Sequence, residues 1–268
     1  MILEVLISCM HQSDFSLISK TGITGNALVI NQCDKNEYLT LTTEPCSVRM
    51  ISTTERGLSK SRNLAIKESF ADICLFCDDD EHLISEYESI ILHAFKQLKD
   101  ADIIAFDVEG STCRLAKKTH CLHYLELLRI SSYQIAIRRN SIINANVYFD
   151  LFMGAGSGNG AQEENKFLMD CLRAGLKIYY VPQIIGRVTH QKSTWFHGYN
   201  EKFFYQRGGA TRQLLGLPLA LLYAFYYVIK KRALYKQEIS LHAALFSTIR
   251  GCIDNTIERQ KKQYVQKE

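Results

Sequence analysis

The sequence predicts an α/β protein with a mostly parallel sheet, helices on both of its faces, and a helical segment at the C-terminal end. The chain has 268 residues, 47% of them apolar, so it can bury a sizeable core. Short β-like runs alternate with helix-like patterns, which is typical of an α/β sheet. From Tyr199 onward the pattern is helical throughout.

The first 110 residues contain apolar runs that predict strands at "VLIS", "ALVINQ", "VRMIS", "ICLFC" and "DIIAF". Helical patterns over about 59–70 and 86–99 separate the later strands. After residue 117 the sequence predicts a strand at "YQIAIRR", a helix over about 162–174 and a strand at "KIYYV". This order of elements is that of a sheet whose strands are joined by crossover helices.

These elements divide the chain into two parts. An α/β body covers 1–195, with a first half over 1–110 and a second over 111–195. A basic, aromatic, helical tail covers 196–268. No internal repeat or low-complexity linker separates the two parts.

Cysteine usage and the N-terminal residues predict a cytoplasmic protein. The nine cysteines are scattered singly and lie mostly inside apolar runs, which is typical of reduced core thiols. The stretch "MILEVLISCM" has no basic leader, and Glu4 interrupts its apolar run. It therefore predicts a first strand rather than a signal peptide.

Charge is distributed unevenly along the chain. The net charge of +4 is too small to argue for a nucleic-acid partner. Between residues 186 and 236, nine Lys or Arg stand against one acid, Glu201, so this block carries +8 and the remainder −4. The block surrounds sixteen uncharged residues, 214–229, fewer than the ~20 needed to span a bilayer. We expect peripheral attachment to an anionic inner-leaflet surface, while burial in the core or in a homodimer contact stays open.

Three adjacent aspartates, Asp78, Asp79 and Asp80, follow the "ICLFC" run directly. Ligands of open α/β sheets gather beyond the carboxyl ends of the strands. Neighbouring carboxylates repel one another unless a cation compensates, and hard oxygen ligands suit Mg²⁺ or Mn²⁺. The triplet therefore predicts a metal site, and a solvated turn before the next helix is the alternative.

The stretch "TTERGLSKSRNLAIKESFADICLFCDDDE" resembles the pattern of glycosyltransferase family 2, "GLSxSRNxA" followed by a helix, a strand and D-x-D. The segment "GAQEENKFLMDCLRAGLKIYYVP" is similar to the acidic helix of that family and the strand after it. The resemblance covers most of residues 2–195. It implies a GT-A-type, Rossmann-like fold and makes 1–195 a catalytic domain, with a nucleotide-sugar half and an acceptor half.

The same resemblance implies the reaction and its partners. The enzyme would move a sugar from a nucleotide-sugar donor, UDP-linked by analogy, to a saccharide or lipid-linked saccharide acceptor. Transfer would invert the anomeric centre and would depend on Mn²⁺ or Mg²⁺. Its place would be bacterial surface polysaccharide synthesis, at the cytoplasmic face of the inner membrane.

The candidate ligands fall into three groups, some implied by the resemblance and others by the chemistry of the residues. The metal would be held by Asp80, Asp78 and His190. Acceptor sugars would stack on Trp195 and Tyr199, whose other interpretation is core packing. Lys60 and Arg62 open a helix whose N–H groups favour anions, so they would lie near phosphate. The set for the donor nucleotide is Ser8, Asn31, Asp34, Lys60, Arg62, Asp78 and Asp79.

Two departures from the family pattern bear on these assignments. The strand-one signature is replaced by "SCMHQ", which begins at Ser8, and the acidic Glu-Asp pair is replaced by Glu163-Glu164. Both glutamates are candidate catalytic residues. At about 100° per residue, Glu164 falls at the centre of the apolar stripe that contains Phe167 and Cys171. We therefore expect Glu164 to point inward and to be the base, with Glu163 off the edge of the stripe.

Two other functions remain open from the residues alone. A nucleotidyltransferase could use a similar sheet and acidic site, although such enzymes open with a Gly-rich basic loop that "SCMHQSD" lacks. A non-catalytic, membrane-bound carbohydrate- or nucleotide-binding protein would not require the acidic helix at Glu163 and Glu164.

Overall fold

The computed structural model describes residues 1–43, 46–111, 115–160, 162–188 and 198–265. The chain divides into two units, each described below by itself. The first comprises Met1–Phe149 and Phe167–Gln191, and the second comprises Asp150–Lys166 and Lys192–Glu268. The second unit thus includes a segment, Asp150–Lys166, that the sequence placed in the second half of the α/β body.

The first unit is built on a sheet that contains ten strands within the described residues. They are β1 (Leu3–Met10), β2 (Asn26–Gln32), β3 (Glu37–Thr43), β4 (Cys46–Thr53), β5 (Ile73–Cys77), β6 (Glu81–Leu83), β7 (Ile103–Glu109), β8 (His120–Cys121), β9 (Ile135–Arg138) and β10 (Ile178–Val188). Their order is β3-β4-β2-β1-β5-β9-β7-β10-β6, and β8 pairs with β10. Strands β4, β2, β1 and β5 are parallel neighbours, and β7 and β10 run in the same direction.

Helices of the first unit follow the strands in the predicted order. They are α1 (Ser16–Lys20), α2 (Leu58–Glu68), α3 (Tyr87–Gln97), α4 (Arg139–Ala145) and α5 (Glu163–Arg173), whose first turn belongs to the second unit. Short 3-10 helices cover Glu126–Arg129 and Ser132–Gln134. The second unit contains α6 (Glu201–Lys230), α7 (Arg232–Tyr235), α8 (Leu241–Asp254) and α9 (Thr256–Val265). The α/β architecture with a helical C-terminal region is confirmed.

Both faces of the sheet are covered by apolar side chains. On one face Leu75 of β5 lies in a buried cluster with Tyr87 and Phe95 of α3. The next residue, Phe76, points to the other face because side chains alternate along a strand. There it makes edge-to-face contacts with Phe149 and with Phe167 of α5, at 5.4 and 6.3 Å between ring centroids. Strand β5 is therefore buried at every position, as parallel strands covered on both faces are.

The acidic residue that interrupts the first strand has a buried partner. Glu4 is 5% exposed and accepts a hydrogen bond of 2.8 Å from Arg49 of β4. Ser69, just after α2, donates to the other carboxylate oxygen at 2.6 Å. Removing one partner of a buried ion pair costs about 3–5 kcal/mol, because the other charge is left unpaired. This pair therefore ties β1, β4 and the end of α2 together.

Glycines bring α6 and α8 of the second unit into close contact. A Cβ on Gly208 would lie 2.0 Å from the carbonyl oxygen of Thr248, and one on Gly251 would lie 1.9 Å from that of Tyr205. Both distances are far inside van der Waals contact, so only glycine fits. The neighbouring Gly209 has more room, because a Cβ added there would lie 3.7 Å from the carbonyl oxygen of Gly251.

We expect Gly208→Ala to destabilise the second unit, because the methyl group forces two helix backbones apart. Overpacking of this kind costs about 1–3 kcal/mol or more, which thermal unfolding followed by circular dichroism would show as a lower Tm. Gly209→Ala is the matched control. It should leave the Tm unchanged or raise it slightly, because alanine favours the helix by ~0.5–1 kcal/mol. Equal losses in the two variants would contradict the packing described here.

Candidate active site

The carboxyl ends of β2, β1 and β5 lie side by side, because these strands are adjacent and parallel. The acidic triplet follows β5, and the sequence-predicted Asn31 and Ser8 belong to β2 and β1. This edge of the first unit therefore gathers most of the residues that the sequence assigned to the donor.

Asp78 is held from two sides. The Arg62 guanidinium of α2 donates to one carboxylate oxygen at 3.2 Å, and the Ser132 hydroxyl donates to the other at 3.1 Å. Arg62 is only 3% exposed, and its guanidinium lies over the Phe149 ring at 5.5 Å. The first aspartate of the triplet is thus fixed at the end of β5 by a charge-assisted contact and a hydroxyl.

Other residues of the "GLSKSRN" motif also form hydrogen bonds with neighbouring elements. Gly57 precedes α2 with φ +125°, a conformation that favours glycine, and its N–H donates to Gln32 Oε1 at 2.7 Å. Ser61 donates to the Ser8 hydroxyl at 2.8 Å. Asn63 exchanges two hydrogen bonds with the backbone of Phe149, at 2.8 and 2.9 Å. The motif therefore docks the start of α2 on the ends of β1, β2 and β5.

The rest of the triplet is more open. Asp79 is exposed and Asp80 is half-buried. Partial burial raises the pKa of Asp79, and the neighbouring Asp78 charge raises it further. The positive charge of Lys20 acts in the opposite direction and lowers the pKa of Asp79.

Glu81, the residue after the triplet, is a buried acid that the sequence analysis missed. It is 1% exposed in β6, and its two carboxylate oxygens have no hydrogen-bond partner among the described residues. Burial raises the pKa of Glu81 well above its ordinary value, and the charge on Asp78 adds to this effect. A hint in the sequence is the alternation "EHL", which puts Glu81 and Leu83 on one face of a strand.

Other predicted donor residues differ in their surroundings. Asn31 is fully buried and holds the backbone of Gln12 through two hydrogen bonds of 2.8 and 2.9 Å, so it shapes the loop after β1. Lys60 is exposed on the first turn of α2. Asp34, after β2, forms an exposed ion pair with Arg56 at 2.6 Å.

The prediction that Glu164, and not Glu163, points inward at the start of α5 was wrong. Glu163 is 5% exposed, whereas Glu164 is half-buried. A Gly-rich turn closes over Glu163: Gly154 donates to the carbonyl of Gly160 at 2.7 Å, and a Cβ on Gly154 would lie 3.0 Å from the Glu163 carboxyl carbon. The apolar stripe further along α5 packs against the sheet, where Phe167 contacts Phe76. The phase of that stripe therefore does not determine what covers the first turn.

Two predicted residues, His190 and Trp195, lie outside the described residues. Tyr199 is half-buried in an aromatic cluster of the second unit, with ring centroids 5.2 Å from Phe203 and 6.2 Å from Tyr235. Its surroundings favour the core-packing interpretation over stacking on an acceptor sugar.

The described residues contain no group of three or more His, Cys, Asp or Glu side chains arranged to hold a metal ion. A divalent cation of the Mg²⁺ type nevertheless fits the carboxylates at the end of β5. Such ions are commonly held by one or two carboxylates, with water and substrate phosphate completing the shell. Asp80 was assigned to the metal from the sequence and is one such carboxylate. Asp78, assigned with it, has both oxygens bonded to protein groups.

Comparisons with known proteins show the fold. No family model matches the sequence, and no curated protein is significantly similar to it. The structure is similar to that of residues 1–349 of Staphylococcus aureus TarS in complex with UDP-GlcNAc, at TM-score 0.61 and 13% identity. That match covers 98% of this chain and 92% of the TarS fragment.

A second similar structure is the mannosyltransferase PcManGT from Pyrobaculum calidifontis in complex with GDP-Man and Mn²⁺. Its TM-score is 0.51 and its identity 12%, and the match covers 94% of this chain and 86% of PcManGT. At such identities the likeness is one of fold. The predicted GT-A-type architecture is confirmed.

We expect Glu81→Gln to stabilise the metal-free protein more at about pH 8 than at about pH 5. A raised native pKa means that wild-type stability falls as pH rises above the ordinary carboxyl pKa, and glutamine removes that loss. Thermal unfolding in chelator at both pH values measures the difference in Tm. Glu86→Gln, at an exposed carboxylate before α3, is the control. A difference that shrinks with rising pH would contradict the burial of an acid at this position.

Proposed function

We propose that this protein is a metal-dependent, inverting glycosyltransferase of family 2 type. It takes a sugar from a nucleotide donor, UDP-linked, and transfers it to a saccharide or lipid-linked saccharide in bacterial surface polysaccharide synthesis. The observation that carries the proposal is the contact of Arg62 with Asp78. It joins the "GLSKSRN" helix to the acidic strand end, in a fold shared with a nucleotide-sugar complex.

Donor binding is assigned to the edge formed by β2, β1 and β5. Arg62 and Ser132 fix the position of Asp78. The positions of Asp79 and Asp80, which follow it in the chain, depend on that contact. Asp80 would hold Mn²⁺ or Mg²⁺, which when bound would stabilise the negative charge that develops on the leaving diphosphate. Lys60 extends from the first turn of α2 and can approach phosphate from solvent.

Glu164 remains our candidate base, for a reason different from helix phase. A general base must come within hydrogen-bond reach of the proton that it takes. Glu164 is half-buried and therefore accessible, whereas Glu163 is sealed under the Gly-rich turn. The Glu164 carboxylate would accept the acceptor hydroxyl proton while the oxygen bonds to the anomeric carbon and the diphosphate leaves with the electron pair.

Three measurements separate this function from its alternatives. A screen of nucleotide sugars should find one that is hydrolysed slowly in the presence of Mn²⁺ or Mg²⁺. Release of pyrophosphate from a nucleoside triphosphate would instead favour a nucleotidyltransferase. Tight binding of nucleotide sugar without any turnover, with and without saccharide acceptors, would favour a binding protein.

We expect Asp80→Ala to abolish metal-dependent turnover and to leave the far-ultraviolet circular dichroism unchanged. The reason is that a carboxylate beyond the strand end supports no core packing. Asp72→Ala is the matched control, since Asp72 is exposed before the opposite end of the same strand. It should retain activity. Full turnover of the wild-type enzyme in excess chelator would refute metal dependence.

We expect Glu164→Gln to lower the transfer rate by at least about 10²-fold, with donor affinity little changed. Glutamine keeps the shape of the side chain but cannot accept the proton. Glu163→Gln should cost less, because its carboxyl is covered. Steady-state kinetics with donor affinity measured by calorimetry would decide between the two. A greater loss in Glu163→Gln would make the buried acid the base.

A further inference from the structure

The C-terminal half of α6 presents an apolar face to solvent. Its five large side chains are 47–68% exposed and define what we call the apolar face: Leu219, Leu222, Phe225, Tyr226 and Ile229. At about 100° per residue these positions fall within roughly 120° of one another around the helix. No charged residue lies between 217 and 229, so this face is uninterrupted.

The opposite side of the same helix segment is buried. Ala220, Ala224 and Val228 are 0–1% exposed, and Tyr227 and Val228 join an apolar cluster with Phe204 and Ala244 of the second unit. The segment is therefore apolar all round while only one side is covered by the described residues. A helix of this composition needs a partner for its second side.

The segment is a separate helix that begins near Leu217. Gly216 has φ 72° and ψ 168°, which is not helical, and Pro218 follows in the first turn, where proline is tolerated. Residues 217–230 number fourteen and extend about 21 Å at 1.5 Å per residue. The full α6 is long and apolar enough to cross a bilayer by composition, but this segment is shorter than the ~30 Å hydrocarbon core.

Four basic side chains lie at the end of the apolar segment. Lys230, Lys231, Arg232 and Lys236 are all exposed. None forms an ion pair with a described residue, and the nearest acids in the sequence are Glu201 and Glu238. An apolar surface with a basic margin is complementary to a lipid surface that carries negative headgroups.

We propose that residues 217–236 form an in-plane membrane-docking surface for anionic lipid. The apolar face enters the boundary between headgroups and acyl chains, and the four basic residues contact the headgroup phosphates. The short length and the break at Gly216 make the helix lie along the membrane instead of crossing it. This surface holds the protein at a membrane, and the inference does not rest on the proposed reaction.

The test is co-sedimentation of the full chain with vesicles of phosphatidylglycerol mixed with phosphatidylcholine, compared with phosphatidylcholine alone. We expect binding to the anionic vesicles that weakens when salt is raised from roughly 0.05 to 0.5 M, because salt screens the basic residues. Leu222→Ser with Ile229→Ser should lower the bound fraction at least about tenfold. Phe246→Ser is the matched control: Phe246 on α8 is as exposed as Leu222, at 68%, and should be without effect.

A charge-matched pair completes the design. Lys230→Gln with Lys231→Gln should weaken binding, whereas Lys96→Gln with Lys99→Gln, in and just after α3 of the first unit, should not. Equal weakening in both pairs, or no binding to anionic vesicles at low salt, would overturn the proposal. A homodimer that dissociates in the Leu222→Ser, Ile229→Ser variant and ignores vesicles would assign the face to a second copy. Metal-dependent donor hydrolysis in solution reports separately on the proposed function.

Discussion

The contact between Arg62 and Asp78 is the constraint on which the edge formed by β2, β1 and β5 depends. Arg62 is almost completely buried, and its guanidinium reaches the carboxylate at 3.2 Å. A buried arginine without an acid would be costly, and an aspartate at the head of an acidic triplet without a cation would be repelled by its neighbours. The charge of each residue therefore offsets the electrostatic cost of the other. The start of α2 and the end of β5 are thereby held together, although sixteen residues separate them in sequence.

This pair explains why three aspartates can follow a buried strand. They are not equivalent: Asp78 is tied to protein groups on both oxygens, whereas Asp79 and Asp80 lie further out. One carboxylate is used to fix the geometry, and the others keep a local excess of negative charge. Burial raises the pKa of Asp79, and the charge on Asp78 raises it further. Such an arrangement lowers stability in the absence of a cation, and folded proteins accept a cost of this kind mainly at functional sites.

The sequence predicted this region well because its signals are local. Runs of four to six residues located β1, β2 and β5, and the "GLSKSRN" motif located the start of α2. Contacts between distant segments were not predictable. Ser132 approaches Asp78 from 54 residues away, and the burial of Glu163 depends on a Gly-rich turn rather than on helix phase. Asn31 illustrates the same limit. Its amide side chain is suited to ligand binding, but in the structure it forms two hydrogen bonds with the backbone of Gln12.

The second unit shows how one helix can serve two different surroundings. The backbone of its first half contacts the backbone of α8, because Gly208 and Gly251 have no side chain to separate the two helices. The break at Gly216 then allows the second half to take its own direction, so that its covered side no longer follows from the first. Each large apolar side chain removed from water contributes about 1.5–3 kcal/mol, and five remain largely outside. Burial of these five side chains at a lipid boundary would recover that contribution, which is the physical basis of the docking surface proposed above.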